Sequence, residues 1–126
     1  MKLKDIMTRE VEFIAGQATI TTAAERMKSG KVSALPVIEH GRVAGILTDH
    51  DIVVRVLAVH LDPQQEHVRD HMSQGPIHCY EDQDVKEAIQ VMGQHHFRRL
   101  PILARDGNLV GIVTLSDLLK ASKAER

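Results

Sequence analysis

Aromatic residues are nearly missing from this sequence, which has two Phe, one Tyr and no Trp. Phe13, Phe97 and Tyr80 are too few to make stacking platforms for single-stranded nucleic acid. Whatever core exists must be built from Val, Ile, Leu, Met and Ala. Cys79 is the one cysteine, so an intrachain disulfide and a Cys-rich zinc site are both excluded. A formal net charge of −1 gives no global attraction for a polyanion or an anionic surface, so neither a nucleic-acid nor a membrane partner is expected. Long apolar runs are also lacking: residues 52–59 are interrupted by Arg55 and are too short to span a bilayer. The opening Met1-Lys2-Leu3-Lys4-Asp5 does not read as a signal peptide, and a cytoplasmic protein is the expectation.

What the sequence does have is a written-out duplication. A constant offset lays Asp5 on Asp70, Met7 on Met72, Ala23 on Ala88, Met27 on Met92, Leu35 on Leu100 and Pro36 on Pro101. One extra residue near Asp106 lengthens the offset, after which Gly41 meets Gly107, Gly45 meets Gly111, Thr48 meets Thr114 and Asp51 meets Asp117. Matches that stay in order along the whole unit mark an internal repeat. The copies divide the chain into residues 1–60, a linker at 61–66 containing Pro63, residues 67–122, and a tail at 123–126.

Each copy reads as strand, helix, strand, strand, helix. The opening strands are expected at residues 12–15 and 77–80. Ile20, Ala23, Ala24 and Met27, then Val85, Ala88, Ile89 and Met92, recur at helical spacing and form apolar stripes. Asp84 with Glu87 has the form of a capping box. His40-Gly41 and Asp106-Gly107 mark the hairpin turns. Second helices are expected at residues 49–60 and 115–122. One copy is too small to bury two helical stripes and a short sheet alone, whereas two copies packed through their sheets with pseudo-twofold symmetry could do so. The fold class is therefore α+β.

The segment Gly45-Ile46-Leu47-Thr48-Asp49-His50-Asp51 and its echo Gly111-Ile112-Val113-Thr114-Leu115-Ser116-Asp117 each cross from a strand into a helix. Thr with Asp three places on can serve purely as a helix cap. The same geometry can also receive a phosphate at the helix start and a ribose on the carboxylate. The residues alone leave both readings open.

The doubled pattern, with Leu35-Pro36-Val37, Leu100-Pro101-Ile102 and Gly-Ile-x-Thr-x-x-Asp in each copy, resembles a tandem pair of cystathionine β-synthase (CBS) domains. It is similar in particular to small stand-alone bacterial pairs of the hypoxic-response type. The resemblance implies a non-catalytic regulatory module, a homodimer of such pairs, and an unknown protein effector acted on in trans. It implies no required cofactor, but a regulatory ligand containing adenosine: AMP, ADP, ATP, S-adenosylmethionine or NAD(H). One implied cleft joins Thr48, His50 and Asp51 to Phe97 and Arg98, and the other joins Thr114, Ser116 and Asp117 to Val32 and Ser33. The family's helix-start Thr is replaced by Ala18 and Gln83. Arg98-Arg99 stand where the first copy has Ser33-Ala34, so the Arg98 cleft is expected to favour charged nucleotides.

Other constellations are weaker. His67 and His71 have zinc-helix spacing but no intervening Glu, and the adjacent His95 and His96 would diverge on a helix, so no metal site is expected. Cys79 has no neighbouring base and reads as a buried inert thiol. Met7, Met27, Met72 and Met92 read as core filler. Lys120, Lys123 and Arg126 complement the last helix dipole. No nucleophile–base set or P-loop supports an enzyme. The alternatives are a structural or adaptor protein with empty clefts, or a metal-binding stress protein.

Overall fold

A computed structural model of the chain describes residues 1–74, 78–95 and 97–125. The expectations for Ile77, His96 and Arg126 fall outside these residues. The fold is α+β, built as two β-α-β-β-α repeats.

In the first repeat β1 (Ile14–Ala15) leads to α1 (Ile20–Gly30), β2 (Ala34–Glu39), β3 (Arg42–Thr48) and α2 (Asp49–Ile52). β1 runs parallel to β2, which forms an antiparallel hairpin with β3. β4 (Ser73–Gln74) completes this sheet on the far edge of β3. The second repeat follows the same path through β5 (Cys79–Tyr80), α3 (Val85–His95), β6 (Arg99–Leu103), β7 (Leu109–Thr114) and α4 (Leu115–Ala124). β5 is parallel to β6, and β6 and β7 are antiparallel.

Local chemistry accounts for most boundaries. Thr19 caps α1 by accepting the Thr22 N–H at 3.2 Å, and the chain leaves that helix through Lys31 in the left-handed region. At α3 the Asp84 carboxylate accepts the Lys86 N–H at 2.9 Å, while Glu87 takes a hydrogen bond from the Gln83 side chain at 2.6 Å. In the first hairpin His40 and Gly41 both have positive φ, as a tight two-residue turn requires. The extra residue of the second copy is absorbed in its hairpin turn, where Asp106 accepts the Asn108 N–H at 3.0 Å.

The stripes bury as read, with one exception. Ile20, Ala23 and Met27 are buried, but Ala24 is exposed; in α3 its counterpart Ile89 is half-buried beside the fully buried Val85 and Ala88. The second helix of the first copy also departs from expectation. Regular α-helix ends at Ile52, and Val53–Leu57 winds as a wider π-turn, with Ala58 N–H bonded to Val53 O at 2.8 Å. A run rich in β-branched valine favours α-helix weakly, and His60 at φ 64° turns the chain away before Pro63.

Packing divides the chain into residues 12–74 on one side and residues 1–11 with 78–125 on the other. The leading segment of each copy thus packs into the core of the other. Leu3, at the start of a 3-10 turn (Leu3–Asp5), and Met7 belong to the core of Leu100, Ile102, Val113 and Leu118. Val68, in the matching turn (Val68–Asp70), and Met72 belong to the core of Ile20, Leu35, Val37 and Leu47. All four methionines read as core filler are buried.

Candidate functional site

β3 delivers Thr48 to the start of α2 in extended conformation, where the next residue turns helical. Its hydroxyl oxygen accepts the Asp51 N–H at 3.1 Å, and the Asp51 carboxylate accepts the Thr48 N–H at 2.9 Å. The Asp49 N–H goes to the Ser33 carbonyl at 2.9 Å, and the His50 N–H to the Asp49 carboxylate at 2.8 Å. The four amides that a helix start leaves without internal partners are therefore all taken. Asp51 is buried, and Arg55 reaches towards its second oxygen at 3.8 Å while donating to the His71 carbonyl at 3.3 Å.

The start of α4 repeats this plan with two changes. Asp117 N–H donates to Thr114 Oγ1 at 3.1 Å, Thr114 N–H to Asp117 Oδ2 at 3.3 Å, and Leu115 N–H to the Arg98 carbonyl at 2.8 Å. Leu115 stands where Asp49 does, so the Ser116 N–H has no neighbouring carboxylate of the kind that occupies His50. Ala121 stands where Arg55 does, so Asp117 also has no such cation beside it. The two helix starts are equal in backbone and unequal in charge.

Within each repeat the segment ahead of the second strand lies at that repeat's own helix start. Ser33 and Arg98 make the same carbonyl contact, and Ala34 and Arg99 pair in register with Thr48 and Thr114. Ser33 and Arg98 are exposed, while Val32, Phe97 and Arg99 are half-buried. Phe97 stacks on His95 with ring centroids 6.1 Å apart. Beside Phe97 and Arg98 opens a recess of about 380 Å³, lined also by Ile89, Met92, Gly93 and Leu115. Sequence reading passed over Arg55, although its i,i+4 spacing from Asp51 was a usable signal. It also passed over Gly93, which has no signal of its own in a single sequence.

The histidine spacing loses its meaning in three dimensions. His67 and His71 flank a 3-10 turn rather than lying on an α-helix, with His67 Nδ1 at 3.0 Å from the Gln17 carbonyl and His71 Nε2 at 2.9 Å from Glu66. Among the described residues, no three His, Cys, Asp or Glu side chains gather as a metal cluster would. Cys79 is buried in the second core, and burial, with the nearby Glu87 charge, pushes its thiol up to about 11. Among the described residues no helix is long and apolar enough to cross a membrane.

The sequence model of the CBS domain matches residues 3–58 and again residues 68–124. The chain belongs to the CBS-domain family. It is a tandem CBS pair, the kind of module that regulates rather than catalyses. The pair is 42% identical over 116 residues to the CBS domain-containing protein YhcV of Bacillus subtilis, covering 92% of this chain and 81% of that one. In structure the pair resembles Hypoxic Response Protein I with two coordinated zinc ions, at TM-score 0.87 and 32% identity over 95% of this chain and 98% of the other. It shares its fold with CBSX2 in complex with AMP, at TM-score 0.82 and 24% identity over 99% of this chain and 98% of that one.

Proposed function

We propose that this CBS pair is a sensor of adenosine-containing ligands, among AMP, ADP, ATP, S-adenosylmethionine and NAD(H), and that it signals to a protein effector in trans as a homodimer. The observation that carries the reading is the Thr-x-x-Asp helix start formed twice in the same geometry, with Thr48 and Asp51 in one copy and Thr114 and Asp117 in the other. Hydroxyl and carboxylate there suit phosphate and ribose. His50, Ser116, Val32, Ser33, Phe97, Arg98 and Arg99 supply the surrounding contacts. Arg98 and Arg99 give the ligand's phosphates a cationic partner that Ser33 and Ala34 do not. That AMP binds another protein of this fold supports the ligand class.

Mass spectrometry of small molecules released from natively purified protein tests the reading, paired with thermal shift against the five compounds. A ligand at 100 times its Kd stabilises the folded state by about 2.7 kcal/mol, a readily measured rise in Tm. Calorimetry on Arg98→Ala with ATP and AMP tests the charge preference; unchanged affinity for both removes it. A second reading, an adaptor with empty sites, draws on the start of α2, whose amides are already satisfied within the chain. No released compound and no shift with any of the five would favour it.

A further inference from the structure

Gly93 sits in the last turn of α3, within a helix that glycine weakens relative to alanine. Among the other described glycines, Gly41 and Gly107 have positive φ, Gly45 and Gly111 face a neighbouring segment, and Gly16 and Gly30 face the Glu39 and Glu12 side chains. A Cβ at Gly93 would meet nothing within 4 Å. Nothing among the described residues thus requires glycine there. Gly93 borders the recess of about 380 Å³ between α3, Phe97-Arg98 and the first residue of α4.

That volume falls within the range of roughly 300–1,000 Å³ typical of small-molecule sites. Ile89, Met92, Phe97 and Leu115 contribute apolar side chains to its wall, and among the described residues Arg98 is the one charged residue there. Among the described residues, no lining side chain is an amide, hydroxyl or carboxylate that could read the edge of a nucleobase. The first copy has Lys28 in place of Gly93 and Asp49 in place of Leu115, which puts a long cation and a carboxylate at the corresponding positions.

We infer that this recess binds a small amphipathic anion, with its apolar body on Ile89, Met92, Phe97 and Leu115 and its anionic head at Arg98. The recess shares Phe97 and Arg98 with the proposed nucleotide site, while Ile89, Met92, Gly93 and Leu115 give it walls of its own and a different ligand chemistry. Glycine at position 93 keeps its wall open, since a longer side chain there would enter the space the ligand needs.

Octanoate is the probe, with 1-octanol as its uncharged partner, followed by methyl NMR on the full chain. Octanoate is expected to shift the Ile89 and Met92 methyl signals and to bind more tightly than octanol. Arg98→Ala should weaken octanoate by about tenfold or more, the loss of a charge-assisted contact, and leave octanol unchanged. Gly93→Leu should abolish the octanoate shifts while retaining the native methyl spectrum. Should that variant lose its native spectrum, Gly93→Ala and Gly93→Ser supply a graded loss in its place. Absence of shifts at Ile89 and Met92 in the native protein, or equal octanoate binding by native protein and Gly93→Leu, overturns the inference. AMP titrated into native protein and Gly93→Leu reads the nucleotide proposal separately, because Gly93 has no part in it, so either can fail alone.

Discussion

Thr8 and Ile112 exchange both backbone hydrogen bonds, at 2.9 and 3.0 Å, although more than a hundred positions separate them in sequence. Ser73 and Ile46 are paired at the matching place of the first repeat. Gly45 and Gly111 make these pairings possible, because a Cβ on either would press on the arriving segment: on the Ser73 carbonyl and Met72 in one case, on Met7 and the Thr8 carbonyl in the other.

Leu3 is therefore expected to stabilise the second repeat and not the first. Leu3→Ala should cost about 2–5 kcal/mol, as removal of a fully buried leucine does. Native-state hydrogen exchange locates the effect: faster amides among residues 78–125 agree with the exchange of segments, and loss confined to residues 12–60 contradicts it.

The glycines at the pairings differ in how much their neighbours can yield. Gly45→Ala meets backbone and should cost about 2–3 kcal/mol, while Gly111→Ala meets mainly the flexible Met7 sulfur and should cost nearer 1 kcal/mol. Gly93→Ala, with open space around it, should stabilise by about 0.5–1 kcal/mol. Urea midpoints at constant slope rank the three, and any other order is a failure.

Thr48→Ala and Thr114→Ala each remove a capping oxygen and should lower stability by about 1 kcal/mol. A pure cap and a ligand site separate in one measurement. If the sites bind nucleotide, the variants also lose part of the Tm rise given by AMP; if they are caps alone, that increment stays as it was.

Two titrations follow from burial and pairing. With the Cys79 thiol pushed up to about 11, only about a thousandth of it is thiolate at pH 8. Alkylation of the native protein should then be very slow and become fast on denaturation. Rapid native alkylation at pH 8 would falsify the buried, protonated thiol.

Arg105, bonded to Asp82 through two nitrogens at 2.9–3.2 Å, holds that carboxyl below its ordinary 3.8. A depressed folded value means that the pair's contribution is complete above 3.8 and fades as pH falls through the folded value. NMR titration of Asp82 should show an upward shift in Arg105→Gln; an unmoved value removes the pairing as its cause.

The repeat made much of this structure legible. Aligned residues located the strands, the hairpin turns and the capped helix starts, because apolar spacing and Thr-x-x-Asp are local and each copy checks the other. The destination of residues 3–8 was not legible, since both copies present an equivalent glycine and an equivalent strand edge to an equivalent segment. Spacing within a chain does not say which copy a segment visits. Nor does the spacing of His67 and His71 reveal that the turn between them is 3-10. At Thr48 and Thr114 the difficulty is chemical: a cap and a ligand site employ the same atoms.

The exchanged segments also impose an order on biosynthesis. Residues 12–74 are contiguous, and they can close their core as soon as Met72 and Ser73 have left the ribosome. Residues 1–11 emerge before that unit and fold after it, because the strand that receives Thr8 is not made until residues 109–114 are translated. Until then Leu3 and Met7 are exposed to solvent and to chaperones, waiting for a strand that lies about a hundred residues further along the chain.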